Sequence, residues 1–271
     1  MGYNDVYWKD KKLNMDKAAD HNQRMLKVYP TEISRSIQAT ELWTDDRVLF
    51  ENISKKEAVK SNMIVENMDT VSAIFKYSAD QRVMVLNFAS YKHPGGGFMS
   101  GSSAQEESLC HESTLYQILS NEKFAHYYAY NNQHKNKSLY MNRALYSPEV
   151  IFTRDNKCTI ADVITCAAPN YRSFSMYNSG SEFTNSVVLE SRIYFIATIA
   201  RYYRDKGIKT IILGAFGCGV FGQHPKKVAE LFRQAFLNAG MNVIFAVIDK
   251  GGHTREGAYN IFKQVIEGQD R

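Results

Sequence analysis

Two short segments hold most of the informative glycines of this 271-residue chain, and their placement constrains the fold more than any other feature. No glycine lies between Gly2 and Gly95, whereas eight of the 16 fall in two clusters: Gly95, Gly96, Gly97 and Gly101, then Gly214, Gly217, Gly219 and Gly222. Each cluster follows a short apolar run, over residues 82–89 and 210–213. Glycine at such points indicates backbone that approaches another group closely or adopts a positive φ.

Strand and helix patterns alternate through the second part of the chain. Apolar runs predict strands over 82–89, 161–168, 210–213 and 242–248. Helical spacing predicts helices over 105–121, from 184 to near 207, and from Pro225 to Gly240. This alternation is typical of crossover units and of a largely parallel sheet, in which ligands bind beyond the carboxyl ends of the strands. Both glycine clusters are predicted to lie at that edge.

Residues 1 to about 80 have a different pattern. Apolar residues such as Val71, Ile74 and Phe75 recur at three- and four-residue spacing, and no strand-like alternation is sustained. The sequence therefore predicts an N-terminal helical extension over residues 1–80 and an α/β domain over residues 81–271.

Composition excludes several classes of protein. The chain is 44% hydrophobic and 23% charged, as in ordinary globular domains, and its apolar runs are far shorter than the ~20 residues that span a membrane. Four cysteines without a CxxC pair, and an N-terminus without an apolar signal core, predict a soluble cytoplasmic protein. The net charge of +5 permits a phosphate-bearing partner. We expect neither a membrane association nor a stable nucleic-acid complex.

The first glycine cluster is followed by acidic residues at a suggestive distance. Seven residues separate Gly97 from Gln105, Glu106 and Glu107, which begin a predicted helix. Bare backbone N–H groups suit a ribose or a phosphate, although a flexible turn would also use glycine. The glutamates could simply complement the helix dipole. Neighbouring helical residues point ~100° apart, however, so one could hold a substrate while the other transfers a proton.

The second cluster has G-x-G-x-x-G spacing at Gly217, Gly219 and Gly222. No acidic residue ends a strand ~20 residues later, so it is a weak dinucleotide fingerprint. A diphosphate loop needs only the glycines and the N-terminus of the next helix. Phe221 is either a core residue or an aromatic surface for a sugar. Cys218 is more simply a small buried side chain than a nucleophile, since no partner base is indicated.

Other chemistries lack their motifs. The G-x-x-x-x-G-K-[ST] loop is absent, and Leu115 stands where the zinc motif beginning at His111 would need a second histidine. The seven histidines are scattered without metal-ligand spacing. We therefore expect no metal and no cofactor.

The combination of the triplet 95–97, the run 105–107 and the segment GAFGCGVFG at 214–222 resembles poly(ADP-ribose) glycohydrolases of the bacterial type. Shorter likenesses at 86–90, 146–148, 167–170 and 243–249 extend it over about residues 80–250. The resemblance implies a macrodomain-like three-layer α/β sandwich with a mixed, largely parallel sheet and an N-terminal helical extension.

The resemblance also implies residue roles. Glu107 would be the general acid and base, Glu106 would hold the substrate ribose, and Phe221 would lie against the distal ribose. The remaining substrate-binding residues that it implies are Asn87, Ala89, Gly95, Gly96, Gly97, Phe98, Gln105, Gly217, Cys218, Gly219, Val220 and Gly222. Phe245 is a candidate for contact with adenine, although a phenylalanine in a strand is usually a core residue.

The implied activity is hydrolysis of the ribose–ribose O-glycosidic bonds of poly(ADP-ribose) with release of ADP-ribose, which would reverse ADP-ribosylation, including in the DNA damage response. The partners would be poly(ADP-ribose) or ADP-ribosylated proteins. One alternative is a non-catalytic reader of ADP-ribose, which would need the glycine loops but neither Glu106 nor Glu107. Another is hydrolysis of mono-ADP-ribosylated targets or of related ADP-ribose metabolites.

Overall fold

A seven-stranded sheet runs through the centre of the protein. The computed structural model describes residues 10–50, 59–178, 181–248 and 257–268, so the outermost residues of both predicted domains lie outside the described segments. The strands are β1 Glu41–Thr44, β2 Asn62–Glu66, β3 Val83–Phe88, β4 Arg143–Arg154, β5 Lys157–Cys166, β6 Thr210–Leu213 and β7 Asn242–Ala246. Their order across the sheet is β1-β4-β5-β3-β6-β7-β2.

The sheet is mixed but largely parallel, as predicted. Strand β3 pairs in parallel with β5 and β6, and β7 pairs in parallel with β6 and β2. Only the pairs β1–β4 and β4–β5 are antiparallel among the described strands. Consequently β3, β6 and β7 all point their carboxyl ends to the same edge, where their loops can form one site.

Helices cover both faces of the sheet. In chain order they are α1 Lys11–Val28, α2 Pro30–Ala39, α3 Asp45–Phe50, α4 Thr70–Tyr77, α5 Gln105–His111, α6 Leu115–Leu119, α7 Ala125–Gln133, α8 Tyr171–Ser175, α9 Ser181–Asp205, α10 Pro225–Phe236 and α11 Ala258–Glu267. Short 3₁₀ turns occur at Phe98–Ser100, Glu122–Phe124 and Asn136–Ser138. No helix in the described segments is long and apolar enough to cross a membrane.

Strand β3 shows how the two cores form. Met84 and Leu86 belong to the core shared with α9, α10 and α11, whereas Val83 and Val85 belong to the core shared with α1, α5 and α6. All four are fully buried because successive side chains of a strand point to opposite faces and helices cover both. The predicted three-layer sandwich is confirmed.

The first 80 residues differ from the helical prediction. Strands β1 and β2 lie in this region and form the two edges of the sheet, so the prediction of helix throughout is wrong there. Strands of four and five residues are too short to show sustained alternation. Every predicted site residue follows residue 80. The domain boundary at that position stays a prediction.

The region between the two loops also departs from the prediction. The helix expected over 105–121 is broken into α5 and α6, because Ser113 leaves the helix to bridge Phe152 of β4. Strand β4 itself was not predicted. It contains Pro148 and a register shift between Ser147 and Val150, which interrupt the alternation that identifies a strand.

Candidate active site

A cleft of about 1590 Å³ opens at the carboxyl ends of the parallel strands. Its walls come from the segment after β3, the N-terminus of α5, the segment between β5 and α8, and the loop between β6 and α10. Gly96 and Gly97 of the first glycine cluster line the cleft, as do Gly217, Gly219 and Gly222 of the second. The two segments are called here the first loop, residues 95–107, and the second loop, residues 214–222.

The first loop brings bare backbone against two carboxylates. Gly95 and Gly96 adopt φ of +66° and +61°, in the left-handed region that favours glycine. A Cβ on Gly96 would lie 2.5 Å from Glu107 Oε1 and 2.8 Å from Glu106 Oε2. Glycine is therefore required here both by backbone conformation and by the approach of the two glutamates.

Glu107 is anchored by backbone donors at the start of α5. Its Oε1 accepts a hydrogen bond from Gly97 N–H at 2.7 Å, and its Oε2 accepts one from Ala104 N–H at 2.9 Å. The second bond is half of a capping box, since Ala104 is the N-cap and Glu107 the third helical residue. These bonds fix the carboxyl group in one orientation on the cleft wall.

Glu106 lies beside Glu107 and is buried like it. The side chain is 3% exposed. Its Oε2 accepts from Ser90 N–H at 2.6 Å, and its Oε1 accepts from Asn87 Nδ2 at 3.2 Å. Burial, reinforced by the charge of Glu107, raises the pKa of Glu106 to about 8. Burial therefore favours the protonated form of this carboxyl group more than water does.

Gln105 joins the helix to the central strand. Its Oε1 accepts from Phe88 N–H at 2.8 Å, and its Nε2 donates to Leu86 O at 2.9 Å. The side chain thus continues the hydrogen bonding of β3 and positions the first turn of α5. The resemblance implies that Gln105 binds substrate. In the structure, both the oxygen and the nitrogen of its side-chain amide already form hydrogen bonds within the protein.

Asn87 and Ala89, two predicted substrate-binding residues near the end of β3, also form hydrogen bonds within the protein. Asn87 is fully buried and reaches Thr165 Oγ1 at 3.4 Å in addition to Glu106. Ala89 is 2% exposed, and its N–H donates to Cys166 O at 3.1 Å. Ala89 still lines the cleft, whereas Asn87 stands behind the wall and supports Glu106.

One aromatic prediction, Phe98, needs correction, and Phe245 proves to be the core residue that a phenylalanine in a strand usually is. Phe98, predicted to bind substrate, is fully buried and packs against His111 and Tyr116 at centroid distances of 4.7 and 4.9 Å. The 3₁₀ turn at 98–100 rotates its ring into the core while the neighbouring glycines face the cleft. Phe245, the candidate for adenine, is also fully buried and packs against Phe232 and Phe262.

The second loop exposes its backbone to the cleft. Gly217 and Gly222 adopt φ of +74° and +73°. A Cβ on Gly219 would meet no protein atom within 4 Å, so the space beside it is open. Val220 is 72% exposed. The loop leads directly into the N-terminus of α10, where backbone N–H groups favour an anion.

Cys218 has no features of a nucleophile. Burial raises the pKa of its thiol to about 12, and the sulfur lies 3.7 Å from Phe216 O. A thiol with such a pKa is almost entirely protonated at neutral pH. This agrees with the expectation of a small, inert side chain.

Phe221 belongs to an aromatic group that the sequence did not reveal. Its ring meets the edge of Tyr140 at a centroid distance of 6.2 Å and an angle of 61°. Tyr140 stacks on Tyr91 at 4.2 Å and 14°. These three residues are called here the aromatic wall. Tyr140 lies in an irregular segment far from either glycine loop in sequence, and no local pattern marks it.

Arg172 and Gln223 are further residues of the cleft that the sequence did not indicate. The N–H of Arg172 donates to Phe221 O at 3.0 Å. Gln223 is 3% exposed, and its Nε2 donates to Pro169 O at 2.8 Å. The available signal was their position: Arg172 lies three residues after Pro169, and Gln223 directly follows the second loop. In the described segments, no group of three or more His, Cys, Asp or Glu side chains could hold a metal ion.

Comparison with models of known protein families identifies the family of this chain. Residues 12–155 match the model of the microbial-type PARG catalytic domain, where PARG denotes poly(ADP-ribose) glycohydrolase. No curated protein matches the chain.

Solved structures of bacterial enzymes are similar over nearly the whole chain. The glycohydrolase of Thermomonospora curvata, solved with the inhibitor ADP-HPD, is 26% identical with a TM-score of 0.78, over 93% of this chain and 98% of that one. The Deinococcus radiodurans enzyme, solved with ADP-ribose, is 29% identical with a TM-score of 0.77, over 87% of this chain and 97% of that one. The chain therefore belongs to the microbial-type poly(ADP-ribose) glycohydrolase catalytic-domain family.

Proposed function

We propose that this chain hydrolyses the ribose–ribose O-glycosidic bonds of poly(ADP-ribose) and releases ADP-ribose. The observation that carries the proposal is the pair Glu106 and Glu107, held beneath the glycine triplet in the same cleft as an open glycine loop at a helix N-terminus. A reader of ADP-ribose needs the second loop but has no use for a buried acid beside an anchored one.

The second loop is the proposed diphosphate site. Gly219 leaves open space beside the backbone, and α10 begins at Pro225, directly after the loop. A diphosphate there would receive backbone N–H groups and the positive end of the helix dipole. Gly217, Cys218, Val220 and Gly222 would contribute backbone rather than side-chain contacts.

The sugars and the base are assigned to the two ends of the cleft. Phe221, backed by Tyr140, offers an aromatic face to the distal ribose. Met68, Val247 and Ala258 line the cleft beyond β2 and β7, and this apolar end suits the adenine. A hydroxyl of the ribose beside the scissile bond would bond to the carboxyl group of Glu106.

Glu107 is the proposed catalytic residue. Cleavage of a glycosidic bond passes through an oxocarbenium-like state, and the leaving 2′-oxygen needs a proton to depart. Glu107 would give its proton to that oxygen as the C1″–O bond breaks. Its carboxylate would then accept a proton from the water that attacks C1″, which regenerates the acid. Gly96 and Gly97 would offer bare backbone to the ribose at the cleft wall. Gly95, which is buried against Tyr116 and Cys110, would hold this arrangement together with Asn87, Ala89 and Gln105.

The proposed setting is cytoplasmic, with poly(ADP-ribose) or ADP-ribosylated proteins as partners. All four cysteines are free thiols, which suits a reducing compartment. The catalytic chemistry described above uses no metal or cofactor. A role in the DNA damage response stays a prediction that follows from the family.

The direct test compares two substrates. The wild-type chain is incubated with purified poly(ADP-ribose) and, separately, with a mono-ADP-ribosylated protein, and free ADP-ribose is quantified by chromatography. We expect release from the polymer at a much higher rate. Tight binding of ADP-ribose without release from either substrate would identify a reader. Faster release from the mono-ADP-ribosylated protein would replace the proposed substrate class.

A further inference from the structure

A fully buried arginine lies behind the aromatic wall. Arg192, on α9, is 0% exposed. Its Nε donates to Asn142 Oδ1 at 2.6 Å, Nη1 donates to Ala167 O, and Nη2 makes a longer contact of 3.5 Å with Leu139 O. Buried guanidinium groups usually pair with a carboxylate.

Within the described part of the chain, the hydrogen-bond acceptors of Arg192 are neutral. None of the ion pairs in the described segments includes it. The carboxylate of Asp45 is one step removed, since it accepts from Asn142 Nδ2 at 3.0 Å. An arginine with this arrangement is placed to hold backbone in position, because its fork of donors reaches several acceptors at once.

The acceptors bracket Tyr140. Leu139 precedes it and Asn142 follows it by two residues, so Arg192 holds the chain on both sides of the ring. Ala167 directly follows β5, so its bond with Arg192 links the arginine to the sheet. Through these bonds Arg192 ties the segment that carries Tyr140 to the central sheet.

That segment needs external support. Asn136, Lys137, Ser138 and Tyr140 adopt φ of 44°, 49°, 75° and 63°, all in the left-handed region that residues other than glycine rarely occupy. Such conformations persist only where the surrounding structure enforces them. Further bonds also reach the segment: Asn170 N–H donates to Ser138 O at 2.9 Å, Ser138 Oγ contacts Ser173 Oγ at 3.2 Å, and Met141 N–H donates to the Tyr91 hydroxyl at 3.2 Å.

We propose that Arg192 is a positioning residue for the aromatic wall, and that through Tyr140 it sets the affinity of the cleft for the distal ribose of ADP-ribose. The inference rests on the proposed function, since it assumes that Phe221 faces that ribose. Arg192 itself lies behind the wall, and its effect on the ligand passes through Tyr140. Loss of Arg192 therefore affects a ligand that has the distal ribose and spares one that lacks it.

The test is a double-mutant cycle read by calorimetric titration. Arg192→Gln, Tyr140→Ala and the double variant are titrated with ADP-ribose and with ADP, which lacks the distal ribose. We expect Arg192→Gln to weaken ADP-ribose binding about tenfold in the wild-type background and less than about twofold in the Tyr140→Ala background. ADP binding should change less than about twofold throughout.

Two further variants control for folding. Arg192→Lys keeps the charge and can reach only part of the acceptor set, so it should give an intermediate effect and permits the same cycle if Arg192→Gln does not fold. Arg201→Gln removes another arginine of α9, one that donates to Ala235 O away from the cleft, and should leave both affinities unchanged.

The outcomes separate the two proposals. Additive effects of Arg192 and Tyr140, or equal losses for ADP and ADP-ribose, would overturn the positioning role while leaving the proposed function intact. Failure of the wild-type chain to bind ADP-ribose at all would overturn both.

Discussion

The two glycine loops line the same cleft but require glycine for different reasons. A Cβ on Gly96 would strike the chain's own carboxylates, at 2.5 Å from Glu107 Oε1. A Cβ on Gly219 would meet no protein atom within 4 Å. The first loop is therefore filled from within by side chains of the protein, whereas the second leaves open space, where we propose that the ligand binds.

The loops are also held differently. In the first, carboxylates accept from backbone: Glu107 from Gly97 and Ala104, and Glu106 from Ser90. In the second, backbone holds backbone, as in the bond from Gln223 N–H to Gly217 O at 3.0 Å. A loop whose geometry depends on ionisable side chains suits proton transfer, and a loop fixed by its own backbone suits binding.

The largest expected effect is on the first loop. Glu107→Gln removes the proposed proton donor, so the rate of ADP-ribose release from the polymer should fall by about 10²–10⁴-fold. The amide retains one acceptor for the two backbone N–H groups that Glu107 binds, which should cost about 1 kcal/mol of unfolding free energy. Chromatographic assay and thermal unfolding of the same preparation separate the two effects. A folded variant with the wild-type rate would remove Glu107 from the chemistry.

The next effect concerns the second loop. Gly219→Val places a side chain in open space and should leave the fold intact but obstruct the diphosphate, at a cost of roughly 1–3 kcal/mol in ADP-ribose binding. Calorimetric titration and thermal unfolding measure the two quantities. Gly207→Ala is a useful control, since Gly207 also has open space beside it but lies between α9 and β6. Its φ of +105° predicts lower stability with unchanged affinity. Normal ADP-ribose binding by Gly219→Val would mean that the second loop is not the diphosphate site.

Gly96→Ala should lower the stability of the fold, unlike Gly219→Val. The new methyl group would meet both glutamates, and φ of +61° is unfavourable for alanine. We expect a loss of about 1–3 kcal/mol in unfolding free energy together with reduced hydrolysis. Urea unfolding monitored by tryptophan fluorescence provides the measurement. An unchanged unfolding midpoint with full activity would show that the first loop adapts easily and is not held by its carboxylates.

The smallest effect is a pH dependence of the core beneath the first loop. His21 of α1 contacts Ser113 O at 2.8 Å, and burial lowers its pKa to about 4. The unfolded chain, with the ordinary value of 6.5, binds more protons between these values. The unfolding free energy should therefore fall as pH decreases from 6.5 towards 4, by at most about 1.4 kcal/mol per pH unit for this histidine.

His21→Gln keeps a donor for Ser113 O and does not titrate. Urea unfolding of the variant between pH 7 and pH 4.5 should give a shallower dependence than the wild-type chain. Equal slopes for the two proteins would show that His21 does not contribute to acid sensitivity.

The sequence predicted the parts of the fold that local pattern determines. Strand β6 was predicted at its observed limits, 210–213, and β3 within one residue at each end, because short apolar runs that are rich in β-branched residues and followed by glycine favour a strand. Strands β1 and β2 were missed because short edge strands carry little pattern. Their identity as strands depends on pairing with β4 and β7.

The same contrast holds for the cleft. Glu106 and Glu107 could be identified because they follow the glycine triplet at a fixed spacing. Tyr140 and Arg192 could not, because each acts through contacts with chain that is distant in sequence. Phe98 was misassigned for the complementary reason: its neighbours in sequence face the cleft, but a single 3₁₀ turn rotates its ring into the core.

The most direct test of the division between the loops is one set of calorimetric titrations with ADP-ribose, on the wild-type chain, Glu107→Gln and Gly219→Val. If the first loop performs the chemistry and the second holds the ligand, Glu107→Gln will bind within about threefold of the wild-type Kd, whereas Gly219→Val will bind at least about fivefold more weakly. Weak binding by Glu107→Gln together with normal binding by Gly219→Val would contradict the account.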